Sequence, residues 1–110
     1  MISSPSLRRG EVWLVRLDKV RPVIVLTRNP LGGLLNAVIG APVTSTIRGL
    51  STEVQVGPGD GVRVDSVANL DNVQLVARSR FVRKVGHARP ATLAAICRAL
   101  AAAIACSDER

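Results

Sequence analysis

Aromatic side chains are nearly missing from this sequence: Trp13, Phe81 and no tyrosine in 110 residues. The core must therefore be aliphatic, and a nucleic-acid surface built on base stacking has little to work with beyond those two rings. His87 is the only histidine, which excludes a pair of imidazoles acting as acid and base; between Gly86 and Ala88 it reads as a surface or core-edge residue. The two cysteines, Cys97 and Cys106, lie nine residues apart in one helical stretch. At about 100° per residue they fall on opposite sides, so a bridge between them is excluded. Unpaired thiols without zinc-ligand spacing fit a reducing compartment, the cytoplasm. The beginning of the chain lacks the apolar segment of a secretion signal, and Arg98 interrupts the longest alanine-rich stretch, so no membrane span is expected. There is no P-loop, no GxGxxG after a strand, no His/Cys cluster with zinc spacing and no GxSxG elbow. No metal and no cofactor is expected.

What the chain has in quantity is aliphatic residue and arginine. Hydrophobic residues make up 47% of it, which excludes disorder as a whole-chain description. The length suits one domain over residues 1–110, with residues 1–9 read as a loose polar arm. Fifteen basic residues against eight acidic ones give +7, and all the basic residues but Lys19 and Lys84 are arginine. A planar guanidinium matches phosphate or carboxylate oxygens at two points, so a polyanionic partner fits this balance. The run Arg78, Arg80, Arg83, Lys84 and Arg89 contains no carboxylate and reads either as a solvated face or as half of an electrostatic groove.

Residues 21–27, Arg-Pro-Val-Ile-Val-Leu-Thr, read as a strand buried on both faces, with proline holding its entrance extended. Residues 10–17 alternate as a preceding strand, and the short 18–20 connection makes the two a hairpin. Further strands are expected at 37–43, 51–56, 61–67, 70–76 and 81–85, with a loop at 29–36 and a turn at 57–61. From Pro90 the period becomes helical, with Leu93, Ile96, Cys97, Leu100 and Ile104 on one stripe. Many short strands, tight turns and one C-terminal helix predict a mainly β fold, a small curved antiparallel barrel.

Arg21 is a charge at the mouth of a core strand, expensive to desolvate unless it is paired or faces a site that needs it. Three hydroxyls, Thr44, Ser45 and Thr46, stand where the third strand leaves the core. A polar cluster that includes Asn69, Asp71, Asn72 and Gln74 follows. Cleavage of RNA by its own 2′-hydroxyl requires orientation and stabilisation of charge on phosphorus-bound oxygens, which an arginine fork and a hydroxyl donor can supply. Glu11 and Asp18 read as ordinary solvated charges.

Three blocks in order carry a more specific signal: residues 9–15 (Arg-Gly-Glu-Val-Trp-Leu-Val), residues 21–27, and residues 41–49 (Ala-Pro-Val-Thr-Ser-Thr-Ile-Arg-Gly). Together with the polar strand ending in Asp71-Asn72 and the C-terminal helix, they resemble the MazF/PemK family of toxin endoribonucleases. The resemblance implies an SH3-like barrel (MazF/PemK/CcdB-like) and a homodimer. It also implies metal-independent cleavage of single-stranded RNA at short sequences, and inhibition by a cognate antitoxin whose acidic C-terminal segment fills the RNA groove. It assigns Arg21 and Thr44 as the catalytic pair; by their own chemistry and position, Ser45, Thr46, Arg48, Asn69, Asp71, Asn72 and Gln74 are candidates for RNA contact. Many family members carry a long loop with a glutamate between the first two strands. Here only residues 18–20 are available, so the site is expected to be more open. The alternatives are a gyrase-binding toxin of the same fold and a catalytically silent RNA-binding module.

Overall fold

The strand behind Arg21 lies in the middle of the sheet. The computed structural model describes residues 6–104. It contains β1 (Glu11–Arg16), β2 (Val20–Val25), β3 (Ala37–Thr44), β4 (Glu53–Val56), β5 (Ser66–Asn69), β6 (Gln74–Ala77), β7 (Phe81–His87) and one helix, α1 (Pro90–Ile104). All pairings are antiparallel, in the order β4-β5-β3-β2-β1-β7, with β6 also on β3. Strand β3 is shared because its first half pairs with β6, from Ala37↔Ala77 to Gly40↔Gln74. Its end pairs with β5, at Val43↔Ala68 and Thr44↔Val67. Gly40 stands where β3 also meets β2, and a Cβ there would come within 2.5 Å of Val23 Cγ1.

The alternation along β1 and β2 separates two clusters. Val12 and Ile24 join Ala41, Val43, Val54, Ala68 and the helix residue Ile96. Val15, Val23 and Val25 join Leu7, Val38, Val76 and Phe81, with Trp13 and Leu17 against them. Burial on both faces is what the aliphatic run at 23–25 requires. The expected strand over 61–67 is shorter than the pattern suggested, beginning only at Ser66.

The sheet curls as a barrel does without closing: among the described residues no ladder joins β4 to β7. A short 3-10 turn, Pro58–Asp60, fills the opening. Gly61, at φ +98°, lies so close to Gly86 that a Cβ on it would be 2.6 Å from the Gly86 Cα. Asp60 is fully buried there and accepts hydrogen bonds from Gly57 N (3.1 Å), Arg89 N (2.8 Å), Arg89 Nε (3.2 Å) and Arg89 Nη2 (3.1 Å). Burial alone would raise the Asp60 carboxyl, but the Arg89 fork, the two backbone N–H groups and Thr92 outweigh it and hold the pKa at about 2.

Several expectations need correction. Of the loose arm at residues 1–9, residues 1–5 lie outside those described, while Leu7 is fully buried and supports the loop turn at Leu31–Gly33. Helix α1 is rotated relative to the expected stripe: Thr92, Ile96 and Ala99 are buried, Cys97 is exposed and Ile104 is 56% exposed. In an alanine-rich helix every face is apolar, and small side chains let the Thr92–Ala99 face approach β4 closely. Cys106 lies outside the described residues. The basic run is not one groove. Arg78 is buried, donating to the carbonyls of Gly32 and Leu35, and Arg80 donates to the Arg16 carbonyl at 3.0 Å. Lys84 pairs with Glu11 at 3.2 Å and Arg89 with Asp60. Glu11 is thus no solvated charge: it is buried and also accepts from Arg8 N and Trp13 Nε1, both at 3.0 Å. Among the described residues no helix is long and apolar enough to cross a membrane.

Candidate functional site

Strand register assembles the site. The β2–β3 ladder ends at Val23↔Pro42, and just beyond it Arg21 of β2 and Thr44 of β3 line the same cleft. Thr44 in turn pairs with Val67, and on the far side of β5 Asn69 pairs with Glu53. Gly40↔Gln74 places Gln74 at the start of β6, just beyond the turn that holds Asp71 and Asn72. A cleft of about 730 Å³ opens across this edge. Arg21, Thr44, Thr46 and Arg48 line it from β2, the end of β3 and the loop after it, and Asn69, Asp71, Asn72 and Gln74 from the opposite side. The sequence candidates therefore meet in one place, with one exception. Ser45 points away, into a second cleft of about 690 Å³ that shares Arg21, Thr44 and Thr46 with the first.

Arg21 is held by a partner that the sequence reading treated as solvated. Its Nε and Nη2 donate to Asp18 Oδ1 and Oδ2, each at 2.9 Å, in a two-point fork. The Asp18 side chain is 67% exposed and that of Arg21 26%, so the pair orients the guanidinium more than it stabilises the fold. Hydrogen bonding from the guanidinium holds the Asp18 carboxyl well below the usual carboxylate range, and the same fork raises Arg21 above its ordinary value. Arg21 is consequently a fixed charge and a very poor proton donor, and Asp18 a weak base while paired. Thr44 Oγ1 accepts from Thr46 N at 3.1 Å, and no acceptor among the described residues takes its proton. That proton is available to a phosphate oxygen.

The opposite wall is organised by carboxylates. Glu53 Oε1 accepts from the backbone N–H groups of Arg48 (3.1 Å), Gly49 (2.9 Å) and Leu50 (3.2 Å), which fixes the loop that carries Arg48. Sequence reasoning missed this, although a carboxylate three to five residues after a glycine-containing loop is a recognisable side-chain cap. Asn69 Oδ1 accepts from Asp71 N at 2.9 Å, and Asp71 Oδ2 takes the Thr52 hydroxyl. The two aromatic rings contribute nothing here. Trp13 and Phe81 pack edge to face, centroids 6.0 Å apart, in the second core cluster.

Three comparisons with known proteins give the family and the fold. Residues 8–104 match the model of a family described as PemK-like, MazF-like toxin of type II toxin-antitoxin system. The "Probable endoribonuclease MazF5" of Mycobacterium tuberculosis is 40% identical over 102 residues, covering 90% of this chain and 94% of its own. The structure of "Mycobacterium tuberculosis toxin MazF-mt6" superposes with a TM-score of 0.84 at 34% identity, covering 88% of this chain and 98% of that one. An "Endoribonuclease in complex with its cognate antitoxin from Mycobacterial species" gives a TM-score of 0.84 at 27% identity, over 94% of this chain and 99% of its own. On the match to residues 8–104 and on these relatives, the chain belongs to the PemK-like, MazF-like toxins of type II toxin-antitoxin systems.

Proposed function

We propose that this protein is the toxin of a toxin-antitoxin pair, an endoribonuclease that cuts single-stranded RNA at short sequences and so arrests translation and growth. The observation that supports this mechanism is that Arg21 and Thr44 line one cleft, with Arg21 held in a fork by Asp18. The chemistry is attack by the 2′-hydroxyl oxygen on the adjacent phosphorus. The 2′-hydroxyl gives up its proton as it attacks, the bond from phosphorus to the 5′-oxygen breaks and the leaving oxygen takes up a proton, both exchanged with solvent, so that the products are a 2′,3′-cyclic phosphate and a 5′-hydroxyl. Arg21 stabilises the charge that builds on the non-bridging oxygens, and Thr44 donates its free proton to one of them. A guanidinium stays protonated throughout the working pH range, so Arg21, held in the Asp18 fork, serves as fixed charge and not as the proton source for the leaving group.

Arg48, Thr46, Asn69, Asp71, Asn72 and Gln74 supply phosphate and base-edge contacts along the same cleft; Asn and Gln side chains can read a base edge at two points. Ser45, on the second cleft, is placed to contact RNA on the other side of the cut. The protein acts as a homodimer in the cytoplasm, and a cognate antitoxin inhibits it by laying an acidic C-terminal segment over the RNA cleft, a partner suited to a chain of net charge +7.

The test is incubation of the purified protein with a long defined RNA in excess EDTA, mapping every cut and its terminal groups. Discrete cuts ending in 2′,3′-cyclic phosphate are expected. Intact RNA with folded protein and accessible single-stranded sites would overturn the nuclease reading in favour of a protein-binding toxin.

A further inference from the structure

The cleavage chemistry uses one side of the Arg21–Thr44 pair and leaves the far side of the second cleft unassigned. That cleft differs in kind from the first. Its floor is apolar, formed by Leu14, Pro22, Val43 and Val62, and its rim is cationic, carrying Lys19, Arg63 and Arg83. No carboxylate and no amide side chain lines it. Strand register explains how Arg83 arrives there. It pairs with Leu14 across β7–β1, and Leu14 pairs with Pro22 across β1–β2, next to Arg21. Two strand spacings, about 10 Å, separate the Arg83 and Pro22 backbones. The Arg21 and Arg83 side chains line the cleft between them.

The rim cations are also uncommitted. Within the run 78–89, Arg78, Arg80, Lys84 and Arg89 are each bound to a carbonyl or carboxylate. Among the described residues no hydrogen-bond or ion-pair partner is found for the side chains of Lys19, Arg63 or Arg83. A cationic rim over an apolar floor fits a group that is flat and uncharged at one end and anionic at the other, which is a nucleotide.

We propose that the second cleft seats the nucleotide adjoining the scissile phosphate, its base on the Leu14–Pro22–Val43–Val62 floor and its outer phosphate held by Arg83 and Arg63. That side has no amide or carboxylate, and the hydroxyls that line it, Thr44, Ser45, Thr46 and Ser66, bond to bases of either kind, so the base is accepted with little regard to its identity. Sequence reading is thereby confined to the cleft that holds Asn69, Asn72 and Gln74. Arg63 and Arg83 are positioning residues. The inference rests on the RNA-cleaving reading of the shared Arg21–Thr44 wall.

The experiment uses a short RNA with one mapped cut, prepared with a neutral methylphosphonate in place of the neighbouring phosphodiester on one side or the other. Each is cleaved by wild type and by the Arg63→Gln/Arg83→Gln double variant; both positions are exposed, so folding is unaffected. On one side of the cut the neutral linkage should lower wild-type kcat/KM about tenfold, the order expected for a charge-assisted hydrogen bond. The double variant should lose about the same factor on all-phosphodiester RNA and then be indifferent to the neutral linkage. Wild-type rates from the double variant would overturn the proposal, as would a loss that remains multiplicative with the neutral linkage. Unchanged cleavage with weakened antitoxin binding would overturn it too, and would give the cleft to the protein partner. A wild type that cuts no RNA removes both readings; one that cuts RNA while the double variant is unaffected removes the nucleotide seat alone.

Discussion

The two clefts share Arg21, Thr44 and Thr46 and have almost opposite surroundings. In the first, every charged group for which a contact is found is fixed: Asp18 on Arg21, Glu53 on three backbone N–H groups, Asp71 on Thr52 and on the turn from Asn69. In the second, the cations other than the shared Arg21, namely Lys19, Arg63 and Arg83, have no partner among the described residues and stand over an aliphatic floor. The difference follows from what each has to do. A group that stabilises a transition state is effective only if it is already in place, so its orientation must be built into the fold. A group that holds a flexible strand by its phosphate gains little from such fixing. A residue's chemistry is therefore better judged from what restrains it than from its type.

Substitutions can break or sharpen that contrast. The largest effect is expected from Arg21→Ala, which removes the charge common to both clefts. Cleavage should fall about 10²- to 10³-fold with an unchanged circular dichroism spectrum, since the side chain's one charged partner, Asp18, is exposed. Asp60→Asn, remote from both clefts, should cost about 2–3 kcal/mol of stability by urea titration, because it weakens a buried, charge-assisted network. Its kcat/KM below the melting range should be that of wild type.

The same carboxylate sets an acid limit. Its folded pKa of about 2 lies below the unfolded value of 3.8, so the unfolded chain binds the proton more readily. The stability Asp60 contributes is complete above about pH 4 and is lost as pH falls through 2. In Asp60→Asn that part of the acid dependence should disappear.

Asp18→Asn tests orientation alone. A drop in kcat of about tenfold, with stability unchanged, is expected if the fork presets Arg21; wild-type kcat would show that the fork is dispensable. Glu53→Gln should have the smallest effect, a several-fold rise in KM as the loop carrying Arg48 loosens, read from initial rates over a range of RNA concentrations.

Much of this was legible in the sequence where it depended on alternation. The aliphatic run after Arg21-Pro22 dictates a central strand, and the pairing of that strand with β3 brings its Arg21 end and Thr44 to one cleft. The polar residues 69–74 were recognisable as a group because they are close in sequence. Contacts between separate elements were not legible. Asp18 looked solvated although its partner is only three residues on, because the shape of the turn decides whether the two side chains meet. Arg78 and Arg89 looked like surface charge because their acceptors lie 43 and 29 residues away. The open barrel edge and the rotation of α1 were hidden for a related reason: alanine and glycine have no side chain that favours one face, and only packing decides between them.

The most direct test of the mechanism is made on a single atom of the substrate. In an RNA with one mapped cut, the 2′-hydroxyl at that nucleotide is replaced by hydrogen, and cleavage and binding are measured together. Attack by that hydroxyl, with Arg21 and Thr44 on the phosphate, predicts unchanged binding and no cut at the altered position. A cut there would require water as the nucleophile and would contradict the roles assigned to both residues.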